Sequence, residues 1–327
     1  MTGPLDQFLA AYGQPQSESA PIESPSFSVI VRTQGRRPRS LIEALDALAA
    51  QDHEPSEVIL VVHGPQDRVE EVASAVHDRL PGQLRVIGTD GGGRSTPLNA
   101  GLDALSDTDY FCFLDDDDLV MADWLSAFAR GAGDEPDVIV RAVTQSQKWS
   151  VDANLQPDQP TGEVELPFPD RFDLLAHMSL NLTPICSVAY PRRVVDEFSL
   201  RFCEDLEVYE DWDFLLRAAM VVGVVSIPDQ TSLYRRLEHG NADSAASVES
   251  WQRAHAMVID RLAAQPVLLP PGDARRLAAT HFEIDGRSRY ESDLARAEAR
   301  IHELTRSPWR WLAAFAARVA RSIRRRT

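Results

Sequence analysis

The sequence predicts an α/β protein with a doubly wound, mostly parallel sheet, helices on both faces of the sheet and a helical C-terminal extension. From Phe27 onward, short apolar runs alternate with segments of helical periodicity, which is typical of β-α-β units. The run Val58 to Val62 is apolar throughout, as in a parallel strand covered on both faces. The run Phe111 to Leu114 stops at four consecutive carboxylates, Asp115 to Asp118. Because open α/β sheets bind ligands at the carboxyl ends of their strands, these acids indicate a binding site.

The first half of the chain contains four predicted strands separated by three predicted helices. Ser40 and Glu43 have the spacing of a capping box and predict the start of the first helix. Asp67 and Glu70 predict the start of the second helix in the same way. The strands are predicted at 27–31, 58–62, 84–87 and 110–114, and the helices at 40–50, 67–80 and 97–105.

The second half of the chain continues with helices and strands around one long loop. Residues 150–170 are rich in Pro, Asp and Gln, which predicts a loop over the site. Helices are predicted at 124–130, 172–178, 192–198 and 212–220, and strands at 138–143 and 221–227. After Ser250 the pattern is continuously helical, with a break at 266–272.

Composition limits the kind of protein and its setting. The 327 residues suffice for one large α/β domain with appendages, and 44% apolar residues are ordinary for a globular protein. No uninterrupted apolar stretch is long enough to span a membrane, and the N-terminus shows no secretory signal. Cys112, Cys186 and Cys203 have neither metal-ligand nor disulfide spacing, so a reduced cytoplasmic setting is expected. The net charge of −17 argues against nucleic acid as a partner.

Residues 306–327 have a charge opposite to that of the rest of the chain. They contain seven arginines and no acids, which leaves −24 for the remainder. At about 100° per residue, one arc is apolar and faces away from most of the arginines. Its members are Trp309, Leu312, Phe315, Ala316, Val319 and Ile323. Such a helix is typical of binding to an anionic membrane surface, and packing on the protein's own acidic body is the alternative.

The four carboxylates Asp115 to Asp118 repel one another unless a cation lies among them. Mg²⁺ or Mn²⁺ would supply it, because both take carboxylate oxygens and bridge to substrate phosphates. In an extended segment alternate side chains share a face, so Asp115 and Asp117 can converge while Asp116 points elsewhere. The alternative is that the acids only end a strand and cap the next helix.

A second acidic cluster, Glu210-Asp211-Trp212-Asp213, opens a predicted helix. Acids in a first helical turn can simply complement the helix dipole. Aromatic neighbours such as Tyr209 and Trp212 also raise the pKa of a carboxylate and offer a platform for a sugar ring. A carboxylate in this setting is suited to remove a proton from an attacking hydroxyl.

Six short motifs occur in the order found in one enzyme family. They are Phe27-Ser-Val-Ile-Val-Arg-Thr33, the helix ending in Ala-Gln51-Asp, Leu98-Asn99-Ala-Gly101, Phe113-Leu-Asp-Asp-Asp-Asp118, Glu210-Asp211-Trp-Asp213 and Tyr234-Arg235-Arg236. Together they resemble a family 2 glycosyltransferase with the GT-A fold, over residues 26 to 245. The resemblance implies an inverting, metal-dependent glycosyltransferase with a nucleotide-sugar donor and Mg²⁺ or Mn²⁺ as its cofactor.

The resemblance also implies roles for individual residues. Asp115 would lie near the donor ribose and share the metal with Asp117, and Asp211 would be the catalytic base. Thr33 is expected at the nucleotide base and ribose, Arg94 and Asn99 at the diphosphate, Glu210 and Trp212 in the acceptor pocket, Arg235 and Arg236 at the diphosphate, and His239 as a further metal or phosphate ligand.

The resemblance and the basic residues 306–327 together imply domain boundaries and partners. Residues 1–25 are expected to form a loosely ordered arm, 26–250 the glycosyltransferase domain, 251–305 a helical extension and 306–327 the basic helix. Within the domain, 26–120 is the nucleotide-binding half and 121–250 the acceptor half. The acceptor would be a saccharide or lipid-linked saccharide in cell-envelope or extracellular polysaccharide synthesis, at the inner face of the cell membrane. Residues 290–304 permit a homodimer.

Two other functions compete with glycosyl transfer. The family often has an acid after its second strand to read the nucleotide base, whereas this chain has Val61-Val62-His63-Gly64. This departure leaves base selectivity open and favours a noncatalytic nucleotide- or saccharide-binding module that acts through its helical C-terminus. A nucleotidyltransferase on a related sheet is the other alternative, and it would release pyrophosphate instead of a nucleoside diphosphate.

Overall fold

The structure is a computed structural model that describes residues 24–80, 82–134, 137–238 and 247–281, together with 292, 294–296, 298 and 299. The chain divides into two units, Met1–Pro270 and Pro271–Thr327. In the second unit, residues 273–281 are helical. In this described part of the chain no helix has the length and apolarity needed to cross a membrane. Residues 1–23 of the expected arm, His239 and the basic helix 306–327 lie outside the described residues.

The first unit is built on a sheet of nine strands in its described residues. The strands are β1 (Phe27–Thr33), β2 (Glu57–His63), β3 (Leu84–Thr89), β4 (Tyr110–Asp115), β5 (Leu119–Val120), β6 (Ile139–Val151), β7 (Pro157–Pro160), β8 (Val188–Pro191) and β9 (Val224–Leu237). The helices are α1 (Pro38–Ala49), α2 (Gln66–Val76), α3 (Ser95–Asp103), α4 (Trp124–Asp134), α5 (Leu174–His177), α6 (Arg193–Asp196), α7 (Glu210–Val222) and α8 (Val248–Ala263).

The strand order is β3-β2-β1-β4-β8-β6-β9-β5, with β7 paired to β6. The four strands at one end, β3, β2, β1 and β4, are all parallel, so their carboxyl ends meet at one edge. Next to them, β8 runs antiparallel to both β4 and β6, whereas β6 and β9 are parallel. This arrangement confirms the doubly wound, mostly parallel sheet that the sequence predicts.

Helices cover both faces of the sheet because successive side chains of a strand point to opposite faces. In β1, Val29 and Val31 pack into one hydrophobic cluster, and Ile30 packs into another. The first cluster receives Leu41, Leu45 and Leu48 from α1 and Val72 and Val76 from α2. The second receives Leu98 and Leu102 from α3 and Phe214 and Leu215 from α7. A third cluster joins α5, α7 and α8.

The two predicted capping boxes are wrong. Helix α1 begins after Arg37 with a proline at its start and has no side-chain cap. The Ser40 hydroxyl instead donates to the backbone carbonyl of Asp116, and the Glu43 carboxylate accepts from Arg235 at 2.7 Å. Helix α2 likewise begins after Pro65 without a side-chain cap. The side chains of Ser40 and Glu43 therefore bond to the loop Asp115 to Asp118, called the acidic loop below, and to β9 instead of capping α1.

Element boundaries in the second half differ from the prediction. Strand β6 extends to Val151 and pairs with β7, so part of the predicted loop 150–170 is strand. Helix α7 continues through Val222, where the sequence predicts that a strand has already begun. Gly223 ends the helix with φ 80°, a conformation that glycine adopts without steric cost. The predicted break at 266–272 is confirmed, since α8 ends at Ala263 and the next helix begins at residue 273.

Candidate active site

A cavity of about 710 Å³ opens at the carboxyl edge of the parallel strands. Its wall is formed by the ends of β1 and β4, the loop before α3, residues 181–185 and the start of α7. Six of the residues predicted for the site line it, namely Thr33, Arg94, Asp115, Asp117, Glu210 and Asp211. The fold therefore brings two acidic clusters that are far apart in the sequence into one cavity.

Arg32 at the end of β1 joins Asp115 to Glu210. Its Nε and Nη2 atoms donate to the two carboxylate oxygens of Asp115 at 2.8 and 2.7 Å. Its Nη1 atom donates to Oε1 of Glu210 at 2.9 Å, and Nε of Arg94 donates to the same oxygen at 2.8 Å. Burial opposes the ionisation of both acids, but the arginines outweigh it and lower the pKa of Asp115 and of Glu210. Both acids are therefore ionised at neutral pH.

Asp116 and Asp117 are less well neutralised. Asp116 accepts a hydrogen bond from the Thr33 hydroxyl, and burial together with the charge of Asp117 raises the pKa of Asp116 to about 7. Asp117 accepts from Nη1 of Arg37 at 2.5 Å. Burial and the charge of Asp115 nevertheless raise the pKa of Asp117. The expectation that Asp116 points elsewhere is wrong, because β4 ends at Asp115 and the acids after it line the cavity together.

Arg235 supports the acidic loop from β9. Its side chain donates to the backbone carbonyl of Asp117, and its backbone N–H donates to Oδ1 of Asp118 at 3.1 Å. The guanidinium is 1% exposed and also pairs with Glu43 of α1 at 2.7 Å. Arg235 therefore holds the backbone of the loop next to the acids of the cavity, but it does not itself line the cavity.

Asp211 is held differently from its neighbour Glu210. Tyr209 has φ 65°, a strained conformation for a bulky residue, and the helix α7 begins directly after it. Asp211 accepts from the backbone N–H of Trp212 at 2.7 Å and from the amide of Asn181 at 3.2 and 3.3 Å. Among the described residues no salt bridge involves it. Burial and the charge of Glu210 raise the pKa of Asp211 to about 7, which suits a group that accepts a proton near neutral pH.

Besides Arg235, three predicted site residues lie away from the cavity wall. Asn99 donates to the carbonyl of Phe202 at 3.1 Å and accepts from its N–H at 2.8 Å, so it holds a loop against α3. Trp212 is fully buried, and its indole N–H donates to the carbonyl of His177 at 2.6 Å. Arg236 points to the side of β9 opposite Arg235, where it pairs with Glu165 at 2.6 Å. The Trp212 ring, which is expected in the acceptor pocket, therefore lies behind the cavity wall.

The cavity also contains residues that the sequence reasoning missed. Arg32 and Arg37 pair with its acids, Asn181 holds Asp211, and Trp251 of α8 contributes an aromatic wall together with Tyr209. Arg32 and Arg37 could have been found from the sequence, because four arginines occur between Arg32 and Arg39 in a strongly acidic chain. Asn181 lies in a loop without periodicity, and Trp251 comes from a helix beyond the motifs, so neither had a local signal.

The acidic loop fits a divalent cation shared with a ligand. Four arginines and six carboxylates line the cavity, so a diphosphate would bring further negative charge next to these acids, and a cation would offset it. In the described part of the chain no three His, Cys, Asp or Glu side chains converge as a ready metal site. Mg²⁺ typically uses only one or two protein carboxylates and takes its other ligands from water and substrate phosphates. Asp117 with its neighbours offers such a partial set.

The parallel sheet covered on both faces and the acidic cavity at its carboxyl edge define a GT-A-type glycosyltransferase fold. The family described as "Glycosyl transferase family 2" matches residues 28–195, which are more than half of the chain. The chain therefore belongs to glycosyl transferase family 2. Members of this family commonly use a divalent metal.

Individual relatives are distant. The Bacillus subtilis (strain 168) protein described as "Uncharacterized glycosyltransferase EpsJ" is 29% identical over 220 residues, which are 67% of this chain and 62% of EpsJ. The crystal structure of S. aureus TarS 1-349 in complex with UDP-GlcNAc superposes with a TM-score of 0.52 at 21% identity, covering 71% of this chain and 66% of that one. Another crystal structure of TarS 1-349 gives a TM-score of 0.51 at 20% identity, with coverages of 71% and 64%. These structures show that the fold is shared.

Proposed function

We propose that this glycosyltransferase takes a sugar from a nucleotide-sugar donor and passes it, with inversion at the anomeric carbon, to an acceptor hydroxyl. The observation that carries the proposal is the pairing of two kinds of carboxylate in one cavity. Asp115 and Glu210 form salt bridges with arginines, whereas Asp211 forms none among the described residues and has a raised pKa. Support for the donor class comes from the shared fold of TarS, whose structure is described in complex with UDP-GlcNAc.

The donor diphosphate would lie at the acidic loop and its arginines. Asp117, with Asp115, would hold Mg²⁺ or Mn²⁺, which when bound neutralises the charge that builds up on the departing diphosphate. Arg94, at the start of α3 and within reach of Glu210, is placed to contact the same phosphates. Thr33 braces Asp116 from the end of β1, next to the expected nucleotide position.

Asp211 would be the general base. It takes the proton of the acceptor hydroxyl while the hydroxyl oxygen bonds to the anomeric carbon. The bond between that carbon and the phosphate oxygen breaks, and the nucleoside diphosphate leaves with the bonding electrons. No acid is needed on the leaving-group side, because charge stabilisation there is electrostatic.

The acceptor would be a saccharide or a lipid-linked saccharide used in cell-envelope or extracellular polysaccharide synthesis. The aromatic pair Tyr209 and Trp251, whose ring centroids lie 4.6 Å apart, offers a wall suited to a sugar ring. The basic residues 306–327 would hold the enzyme at an anionic membrane surface, where a lipid-linked acceptor is presented.

The test is Asp211→Asn, assayed by the release of nucleoside diphosphate from a panel of UDP-, GDP- and dTDP-sugars with Mn²⁺. Asparagine keeps the size of the side chain and cannot accept the proton, so we expect a loss of transfer of about a thousandfold or more. In the native enzyme, transfer should fall as the pH drops through about 7, because protonated Asp211 cannot act as a base.

Binding of the nucleotide serves as the control for folding. Thermal unfolding of Asp211→Asn should shift with UDP and Mn²⁺ as in the native protein, whereas Asp117→Ala should lose the metal-dependent part of the shift. Full transfer by Asp211→Asn would refute the assignment of the base, and the absence of a shift with every nucleotide would refute the donor class.

A further inference from the structure

Asp211 belongs to a connected set of hydrogen bonds that begins at the cavity wall and continues into the core. Both of its carboxylate oxygens accept from Nδ2 of Asn181, at 3.2 and 3.3 Å, and one accepts from the backbone N–H of Trp212 at 2.7 Å. Asn181 lines the same cavity as the carboxylate. It is thus the one side chain among the described residues that donates a hydrogen bond to Asp211.

The orientation of the Asn181 amide is determined by Thr183. The backbone N–H of Thr183 donates to Oδ1 of Asn181 at 3.3 Å, which leaves Nδ2 on the side of Asp211. If the amide were turned over, its oxygen would face the carboxylate oxygens of Asp211 and its NH₂ would face an N–H, so both contacts would be lost. Asn181 is therefore held as a donor to the carboxylate.

Thr183 is in turn held by two buried side chains. Nδ1 of His177 lies 2.8 Å from the carbonyl of Asp173 and must donate to it, because a carbonyl only accepts. Burial lowers the pKa of His177 to about 4, so the ring is neutral and its Nε2 accepts from the Thr183 hydroxyl at 2.8 Å. The same hydroxyl oxygen accepts from Nε of Arg141 at 3.1 Å. The two ring nitrogens of His177, the Thr183 hydroxyl and Nε of Arg141 are thus all paired, whereas the buried Nη1 of Arg141 has no partner among the described residues.

The set closes on itself through Trp212. The carbonyl of His177 accepts from the indole N–H of Trp212 at 2.6 Å, and the backbone N–H of Trp212 donates to Asp211. Arg141, His177 and Trp212 are fully buried and Thr183 is nearly so. Buried hydrogen bonds of this kind restrict the side chains that make them, so Thr183 holds the Asn181 amide in place before a substrate enters.

We propose that Asn181 is a positioning residue for Asp211, and that Thr183, backed by His177 and Arg141, keeps the Asn181 amide turned toward it. This inference rests on the proposed function, in which Asp211 is the base. A hydrogen bond donated to a carboxylate favours its ionised form. Asn181 thus holds the base both in place and in its proton-accepting state, against burial and the charge of Glu210.

The test is a titration of Asp211 by NMR of aspartate labelled at the carboxyl carbon, with the signal assigned by its loss in Asp211→Asn. The measurement needs neither donor nor acceptor. In Asn181→Ala we expect the pKa of Asp211 to rise by about one unit, since both contacts from the Asn181 amide to the carboxylate are lost. The other charged or titratable groups around it, Glu210 on α7, Arg94 before α3 and Tyr190 on β8, are unchanged by this substitution.

The pH profile of transfer gives a second readout. At pH 7 Asn181→Ala should be about fivefold slower, and at pH 9 it should approach the native rate, because the base is then ionised again. Thr183→Val, which lacks the hydroxyl, should shift the profile in the same direction, and Thr183→Ser should restore it. This pair keeps the proposal testable if Asn181→Ala fails to fold in a thermal unfolding assay.

The two hypotheses can fail separately. Full transfer by Asp211→Asn would refute the base, whatever the titration shows. If Asp211→Asn is inactive but neither Asn181→Ala nor Thr183→Val moves the pKa of Asp211 or the pH profile, the positioning role of Asn181 alone is wrong.

Discussion

Aspartates in this cavity differ in pKa because their neighbours differ. Asp115 receives two hydrogen bonds from one guanidinium, and this pairing lowers its pKa despite burial. Asp211 receives only amide and backbone N–H groups, and burial beside Glu210 raises its pKa to about 7. Environments that separate the pKa values of like groups are how enzymes divide acid and base roles among them. The cavity thus keeps Asp115 and Glu210 ionised, while Asp211 has a pKa suited to taking up a proton near neutral pH.

At the scale of single residues, Arg37 is expected to compete with the divalent cation. Its guanidinium lies 2.5 Å from Oδ2 of Asp117 and 4.0 Å from Asp116, where it supplies positive charge to the acids proposed for the metal. In Arg37→Gln these oxygens lose their cationic neighbour, so we expect Mn²⁺ to bind the nucleotide-free protein about tenfold more tightly. Binding can be measured by the loss of the free Mn²⁺ signal in electron paramagnetic resonance.

Arg36→Gln is the matched control for this prediction. Arg36 lines the same cavity and carries the same charge, but no ion pair joins it to an acid in the described part of the chain. Its substitution should strengthen Mn²⁺ binding about threefold at most, through the change in overall charge. Equal effects of the two substitutions would show that Arg37 acts only at long range and that the contact with Asp117 does not matter for the metal.

At the scale of secondary-structure elements, Gly101 allows α3 to pack closely on β1. A Cβ atom at this position would lie 2.4 Å from Cγ2 of Ile30, which is fully buried. Alanine normally stabilises a helix interior by about 1 kcal/mol relative to glycine. Here overpacking of about 1–3 kcal/mol should outweigh that gain. We therefore expect Gly101→Ala to lower the urea midpoint for unfolding of the first unit, measured by tryptophan fluorescence.

The Ile30→Ala background tests the cause of that loss. Ile30→Ala removes the three side-chain atoms that the new Cβ would meet, so adding Gly101→Ala to it should be neutral or stabilising. The sign of the Gly101→Ala effect would then reverse between the two backgrounds. Destabilisation of the same size in both would mean that the close contact with β1 is not the reason.

The sequence predicted the elements better than their ends. Strands such as Val58 to Val62 were recognisable because burial on both faces leaves an apolar run. The caps were not, since Ser40 and Glu43 had the correct spacing but found partners on β9 and the acidic loop. The end of α7 was misjudged because Val221 and Val222 have high strand propensity while tertiary packing keeps them helical.

The site shows the same division between local pattern and tertiary placement. The place of Asp115 and Asp117 in the cavity could be predicted because they follow a buried parallel strand, whose carboxyl end lies where such sheets bind ligands, and Asp211 was placed there by its motif. Asn99 and Trp212 could not be distinguished from site residues, since a motif gives position in the chain and not the direction of a side chain. Asn181 was missed because only the fold brings its loop to Asp211.

At the scale of the whole molecule, charge is divided between the body and the C-terminal residues. The 22 residues from 306 onward carry seven arginines, whereas the rest of the chain has a net charge of −24. A body so acidic is repelled by anionic lipid, and a short basic segment with an apolar arc can overcome this repulsion only through close contact with the membrane surface. In the proposed function, residues 306–327 alone would then determine whether the protein binds to a membrane.

The last prediction tests this division with Arg321, Arg324 and Arg325 replaced together by glutamine in the full chain. Each arginine near an anionic surface contributes about 1 kcal/mol, so the triple variant should bind phosphatidylglycerol-containing vesicles about a hundredfold more weakly in a sedimentation assay. The control replaces three arginines of the first unit, the half-buried Arg79 and the exposed Arg130 and Arg253, and should bind as the native protein does. If the native chain ignores the vesicles and the tail variant instead unfolds at a lower temperature, the basic segment packs on the acidic body, and the membrane role is wrong.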